Sequence, residues 1–336
     1  YKSIDGHNVG SINFKSMYEA GQWLRDNLEV SGRKIYGNKR YISQYVMDKF
    51  PNDIEFDRRA INVGTFDIET DYDDGFPHPD QAAHKILSIS YKSSKFSTYH
   101  VWGYGDFDTK TALISDVKYT RCNSEEELLS KFLEFWSHPD IIPDVITGWN
   151  TRFFDIPYIV NRIIRMLGDD APKRLSPWGM VDRRTARKMN REQTVFDIKG
   201  IGHADYMELF QKYTYTAQES YALNHIAHVI LGEKKLSYEE YGSLHSLYKN
   251  DHQKFIDYNI KDAKLVDRLE DKMGLITLML TMAYKGGVNY SDTFGVTAIW
   301  DTIIYRYLND RKIAMPFSEN KIKTNYPGGY VKDPVV

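Results

Sequence analysis

The sequence predicts an α/β layer structure, on three observations. Ile61, Val63, Thr65, Phe66, Ile68 and Thr70 make residues 61–70 read as a strand. Leu128, Leu129, Phe132, Leu133 and Trp136 recur at helical spacing behind Ser124-Glu125-Glu126-Glu127, the pattern of a capping box. Strand-like and helix-like stretches then alternate along much of the chain, as they do where helices are layered on a sheet.

Taken in order, residues 14–30 carry Phe14, Met17, Tyr18, Trp23, Leu24 and Leu28 at roughly helical spacing, ahead of a basic loop with Gly32 and Gly37. Residues 1–61 read as a small accessory region, incomplete at its beginning because position 1 is Tyr rather than Met. The strand at 61–70 runs into a polar turn at 71–79, and 86–91 with 96–102 read as a hairpin. A short strand follows at 144–149. The next helix spans 154–167, with Ile159, Val160, Ile163 and Ile164 inward and Gly168 as its stop. Residues 171–200 are basic and irregular, with a second hairpin expected at 187–198. Helices are expected at 206–213, 221–231, 251–274 and 296–308, and the chain ends in a Pro- and Gly-rich tail.

At 336 residues, 42% of them hydrophobic, the chain can bury a sizeable core and has the length of about two domains. Its single cysteine, Cys122, excludes a disulfide framework or a cysteine zinc cluster and fits a reducing compartment. With no histidine nearby it reads as a structural thiol. The longest apolar stretch, 275–283, is too short to span a bilayer, and the first residues lack a signal-peptide pattern, so no membrane partner is expected. A net charge of −2 gives no general attraction to nucleic acid. Charge is nevertheless uneven: residues 67–74 hold five acids, whereas 173–191 hold seven Lys or Arg against one acid, Asp182. An acidic pocket beside a basic track suits metal-dependent work on a phosphodiester.

Three places along the chain supply that pocket. Asp67 and Glu69 lie two apart on a strand, so their side chains share a face. Adjacent carboxylates repel unless something positive sits between them, and a divalent metal is the usual answer. Asp155 follows Gly148-Trp149-Asn150 in the first turn of a helix, where backbone N–H groups favour an ionised carboxylate. Tyr258 and Asp262 are four apart on a helix and present a phenol and a carboxylate to one point. Hard oxygen ligands of this kind suit Mg²⁺ or Mn²⁺, which leaves His203, His225 and His228 as core or surface residues.

Phe66-Asp67-Ile68-Glu69-Thr70, then Asn150-X3-Phe154-Asp155, then Tyr258-X3-Asp262 resemble the three exonuclease motifs of the DEDDy 3′–5′ exonucleases, specifically the proofreading domain of family B DNA polymerases. Phe154-Asp155-Ile156-Pro157-Tyr158, Lys173-Arg174-Leu175-Ser176-Pro177 and Tyr326-Pro327-Gly328-Gly329-Tyr330-Val331-Lys332 are similar to the replicative polymerases of T4-like tailed phages. The likeness covers essentially the whole chain. It implies a ribonuclease-H-like exonuclease fold, a mixed sheet flanked by helices, over 62–275. It also implies a partial N-terminal domain at 1–61, and a return segment at 276–336 leading toward a polymerase palm. Both chain ends would then form a smaller α+β remnant of the N-terminal domain.

The resemblance further implies a 3′–5′ DNA exonuclease that removes 3′ deoxynucleoside monophosphates with two divalent ions. Asp67 would bridge both ions, Glu69 and Asp262 would serve the ion that activates water, and Asp155 the ion near the leaving group, while Tyr258 would orient the water. Asn150, Phe154 and Phe76 are expected at the terminal nucleotide, Lys235 at the scissile phosphate, and Arg183, Arg184 and Arg187 at backbone phosphates. The implied partners are the single-stranded 3′ end of a primer-template, a palm in the same or a second chain, and a sliding clamp. The implied location is the cytoplasm of an infected bacterial host, if the chain is phage-encoded. The sequence stops before the palm's Asp-X2-Ser-Leu-Tyr-Pro-Ser motif, so no nucleotide-adding site is expected in it. Two rival readings are a degraded exonuclease fold that only binds DNA or docks a polymerase, and an RNA-processing exonuclease of the same superfamily. Retention of all four acids and the tyrosine argues against the first, and the polymerase-like chain ends against the second.

Overall fold

A computed structural model describes residues 1–317 except 29, 31, 38–40, 51–53, 73–76 and 189–190. The chain divides into two compact units, one built from Tyr1–Asp53 with the chain from Ile299 onward, the other being Ile54–Ala298. The smaller unit contains β1 (Lys2–Ser3), α1 (Met17–Asn27) and α2 (Tyr41–Lys49). Ser16 caps α1 by accepting the Glu19 N–H at 3.2 Å, and Phe14 packs on Trp23.

The larger unit runs through β2 (Val63–Thr70), β3 (Ile86–Ser93), β4 (Tyr99–Gly103), β5 (Val117–Arg121), α3 (Glu125–Trp136), β6 (Val145–Thr147) and α4 (Asp155–Leu167). It continues with β7 (Val181–Lys188), β8 (Arg191–Ile198), β9 (Gly202–His203), α5 (Tyr206–Tyr213), α6 (Leu223–Leu231), α7 (Leu244–Asn250), α8 (His252–Met273) and α9 (Leu275–Gly286). After α10 (Val296–Asp310), β10 (Ile313–Ala314) pairs in parallel with β1. Among the described residues no helix is long and apolar enough to cross a membrane.

Six strands make one mixed sheet in the order β5-β4-β3-β2-β6-β9. β2, β3 and β4 are antiparallel neighbours, whereas β4–β5, β2–β6 and β6–β9 pair in parallel. This is the mixed, helix-flanked sheet expected of a ribonuclease-H-like exonuclease fold. Period-two alternation sends Phe66, Ile68, Ile89, Tyr91 and Trp102 to one face, where they share a core with Leu128, Phe132 and Trp136 of α3 and Ile156, Ile159 and Ile163 of α4. The opposite face of β2 and β3 is polar, with Thr65, Asp67 and Glu69 beside Ser90, Lys92 and Ser88. Helix α8 lies across that face, on β2, β3 and β4.

Two anchors fix α8 there. Asp251 caps its start by accepting the Lys254 N–H at 2.9 Å, and Gly274, at φ +63°, ends it. Near its far end, Asp267 accepts hydrogen bonds from Thr65 Oγ1 at 2.5 Å, Lys92 Nζ at 2.8 Å and Tyr99 Oη at 2.7 Å, one from each of three adjacent strands. The polar sheet face is therefore paired to the helix rather than solvated.

Three expectations differ from the structure. The basic hairpin is longer than 187–198: β7 starts at Val181, which pairs with Ile198, and the register runs to Lys188 and Arg191. Asp182, Arg183, Arg184 and Arg187 conceal that strand, because its exposed residues need no apolar alternation. The larger unit also extends beyond 62–275 at both ends. Phe56 packs on Tyr284 with ring centres 5.1 Å apart, and Leu275, Ile276, Met279 and Leu280 of α9 join a core with Tyr206, Leu209 and Phe210. Finally, the capping box at α3 is only half made. Ser124 Oγ accepts the Glu127 N–H, but Glu127 reaches back to the N–H of Asn123 at 2.7 Å.

Candidate active site

Three chain segments meet on the polar face of the sheet. β2 carries Asp67 and Glu69 outward between the buried Phe66, Ile68 and Thr70, so both acids are half-buried on the side of α8. α8 brings Asp262, and one carboxylate oxygen from each of Asp67, Glu69 and Asp262 lies within 4.8 Å of the others. Asp155 opens α4, and its Oδ1 accepts the N–H of Ile68, the residue between the two strand acids, at 3.2 Å. It stands beside that oxygen cluster rather than within it.

The turn before α4 is shaped by close approach. A Cβ on Gly148 would meet Phe66 O at 2.4 Å, so only glycine lets this turn lie against β2. Asn150 has φ +65°, in the left-handed region that asparagine tolerates. Asp205 locks the turn: its Oδ1 accepts from the N–H groups of Asn150 and Met207, and its Oδ2 from that of Arg152 at 2.9 Å. One buried carboxylate thus caps α5 and holds the Asn150 segment.

The electrostatics are those of crowded acids. Burial, then the charges of Asp155, Glu69 and Asp262, push the Asp67 carboxyl well above the usual range. Burial and Asp262 raise Glu69 to about 8, with Lys235 opposing. Asp155 rises to about 7 through burial, opposed by the N–H of Ile68, which favours its charge. Burial also raises Asp262, again opposed by Lys235. Burial disfavours the charge of Lys235, yet Asp262, Tyr258 and Glu69 hold its ammonium well above the ordinary lysine range.

Lys235 Nζ is bonded to Asp262 Oδ2 and donates to Tyr258 Oη at 3.3 Å. Tyr258 is itself buried, edge-on to Tyr238, and burial beside Asp262 and Glu69 raises its phenol far above ordinary titration. The Oδ1 atom of Asp262 is buried with no hydrogen-bond partner. An all-oxygen donor set whose members repel one another, one of them with an orphaned oxygen, fits hard divalent ions such as Mg²⁺ or Mn²⁺.

The other expected contacts scatter. Phe154 is half-buried and packs near Tyr158, ring centres 5.6 Å apart, and Asn150 lies in the Gly148 turn. Arg183 and Arg187 are exposed and share one face of β7. Arg184 points to the other face and pairs with Asp197 at 2.7 Å, and Arg183 lies 4.0 Å from Asp80. Phe76 lies outside the described residues. His203 is bonded to Thr151 Oγ1 at 3.0 Å, and burial drives its ring down to about 3, as suits a neutral core histidine. Cys122 is buried and its thiol is raised to about 11, by burial first, which leaves it inert. Three residues that sequence reasoning passed over also shape the site: Asp205, Asp267 and Asn259, whose Nδ2 donates to Asp67 Oδ2 at 2.6 Å. Asp205 was detectable as an acid immediately before a helix, and Asn259 as a polar residue one helical turn from Asp262.

Comparison with known proteins agrees with the geometry. Residues 27–226 match the family described as DNA polymerase family B, exonuclease domain. The DNA-directed DNA polymerase of Escherichia phage RB69 is 31% identical over 357 residues, covering 100% of this chain and 39% of that protein. That of Enterobacteria phage T4 is 29% identical over 356 residues, covering 99% and 39%. The DNA polymerase delta catalytic subunit of Candida albicans is 33% identical over 175 residues, or 50% of this chain and 16% of that one. The chain therefore spans 39% of the length of each phage relative. Because the match runs over more than half of the chain, the chain belongs to the exonuclease-domain family of the family B DNA polymerases.

Proposed function

We propose that this chain is a metal-dependent 3′–5′ DNA exonuclease, the proofreading part of a phage replicative DNA polymerase. The observation that supports it most is the convergence of Asp67, Glu69 and Asp262, with Asp155 and Tyr258 beside them. Asp67, Glu69, Asp155 and Asp262 would hold two divalent ions, which when bound supply charge stabilisation to the attacking and leaving oxygens.

The chain's own residues do the rest. Tyr258 keeps its proton, and its oxygen already accepts from Lys235, so its O–H is left to donate to the attacking water. Glu69 helps to position that water. Water adds to phosphorus and gives up a proton, the bond to the 3′ oxygen of the penultimate nucleotide breaks, that oxygen takes up a proton in turn, and a 5′-monophosphate leaves. Lys235 turns from Asp262 toward the scissile phosphate, Asn150 and Phe154 hold the terminal nucleotide, and Arg183 and Arg187 take phosphates without reading sequence. The partners are a single-stranded 3′ end at a primer-template, a polymerase palm and a sliding clamp.

A single-stranded oligonucleotide labelled at its 5′ end and incubated with Mg²⁺ is expected to shorten stepwise from the 3′ end, and EDTA to stop this. An oligonucleotide left intact with either Mg²⁺ or Mn²⁺ would favour a docking module instead. Degradation of RNA in preference to DNA would favour the RNA-processing reading.

Glu69 and Asp155 supply a second expected result. Each has a folded pKa raised above the ordinary carboxylate value, to about 8 and about 7. The folded chain thus keeps protons that the unfolded chain has lost. The stability this gives is complete below about pH 4 and is lost as pH rises through about 8. A divalent ion binds the deprotonated acids, so the rise in melting temperature on adding Mn²⁺ should be small near pH 6 and larger near pH 9. Differential scanning fluorimetry reads both values, and equal shifts at the two pH values would contradict the assignment.

A further inference from the structure

We infer that Asn259 is a positioning residue for Asp67, its side-chain amide selecting the orientation in which that carboxylate meets a divalent ion. The inference rests on the reading of Asp67, Glu69, Asp155 and Asp262 as metal ligands. Asn259 is wholly buried in α8, one residue after Tyr258 and three before Asp262, so it and Asp262 lie on neighbouring positions of one helix face. Its Nδ2 donates to Asp67 Oδ2 at 2.6 Å.

A cost in stability distinguishes this contact from packing. Asn259 Oδ1 is buried and has no hydrogen-bond partner, which lowers stability. Ile256, Ile260 and Ala263, also buried on α8, are apolar and carry no such burden. A polar group that destabilises the core while bonding an acid of the site is the pattern of a residue retained for activity.

A neutral donor also has a specific merit here. A lone aspartate on a strand can adopt more than one side-chain rotamer, and a single fixed hydrogen bond selects among them. An ammonium or guanidinium would do so too, but would neutralise the acid and compete with a cation, as Lys235 does at Asp262. The amide orients Asp67 and leaves its charge available. The register that lets this happen is built in. Asp67 pairs with Ser90 and Glu69 with Ser88, small side chains under the helix, and Asp267 pins α8 to β2, β3 and β4.

The test is Mn²⁺ binding to the wild-type chain, Asn259→Leu and Asn259→Ser by isothermal titration calorimetry, with the melting temperature of each. Leu keeps the volume and removes the donor, and Ser serves if the Leu variant does not fold. The expected result is about a tenfold or greater loss of Mn²⁺ affinity, with a melting temperature at or above wild type for Leu. Cleavage at limiting Mn²⁺ should fall in step and be partly restored by excess Mn²⁺. A lowered melting temperature with unchanged Mn²⁺ affinity would mark Asn259 as structural and overturn the inference. If the wild-type chain binds Mn²⁺ and the variants bind it equally well, only the Asn259 assignment fails. If the wild-type chain binds none, the metal-site reading fails and this inference with it.

Discussion

Asp67→Asn is expected to lower the rate of 3′ mononucleotide release by on the order of a thousandfold, while the melting temperature stays at or above that of the wild-type chain. The rate loss follows from charge stabilisation worth several kcal/mol, with about 1.4 kcal/mol for each tenfold in rate. The stability expectation has the opposite sign because Asp67 is a liability in the folded chain. Burial and the charges of Asp155, Glu69 and Asp262 all disfavour its ionised form. Asparagine has nearly the same shape and removes that repulsion. The measurement is single-turnover cleavage of a labelled oligonucleotide beside thermal unfolding. Cleavage within a few-fold of wild type would show that the catalytic acids lie elsewhere, and a large drop in melting temperature would show that Asp67 is structural.

Arg162→Ala should act in the reverse way, destabilising the fold by about 3–5 kcal/mol, a large share of the roughly 5–15 kcal/mol that holds a typical domain. Arg162 Nε donates to Glu125 Oε1 at 2.7 Å and Nη2 to Oε2 at 2.5 Å, with both side chains less than a tenth exposed. Its Nη1 donates to the carbonyls of Ala82 and Ala83, which ties down the chain that follows the acidic turn. Glu125 Oε1 also accepts the Ile86 N–H at 2.8 Å, at the start of β3. Removing the guanidinium leaves a buried carboxylate with that one donor. An Arg162→Met and Glu125→Leu double variant removes both charges and should recover most of the loss. Urea denaturation of the three chains distinguishes the cases, and a single variant as stable as wild type would refute the account.

These two residues differ in how legible they were. Asp67 announces itself, because two acids inside an apolar strand break a pattern that burial would otherwise impose. Arg162 and Glu125 each look like solvated charges: one lies on a strongly apolar helix, the other in the acidic first turn expected at a helix start. Their pairing depends on how α3 and α4 stack on the same sheet face, which no local pattern encodes. Lys235, expected at a phosphate, is held by Asp262 and Tyr258, since a crowded acid draws the nearest ammonium. The hairpin strand from Val181 was hidden because Asp182, Arg183, Arg184, Thr185 and Arg187 are all exposed and carry no period-two signal.

What the amino-acid order determined by itself was the local grammar. The apolar periods placed β2, β3, α3, α4, α5 and α8 within a few residues, and the spacing of acids put Asp67 with Glu69, and Tyr258 with Asp262, on common faces. Those features depend on neighbours two to four residues apart, which is the range over which strand and helix periods act. Only the tertiary structure decided which polar groups meet. It set Asn259 against Asp67, Asp205 behind Asn150, and Asp267 against three strands, because those contacts are fixed by the packing of α8 and α5 against strands distant in sequence. Hydrogen bonds are short and directional, so sub-ångström placement of packed elements selects these partners, and the sequence carries that placement only through the whole core.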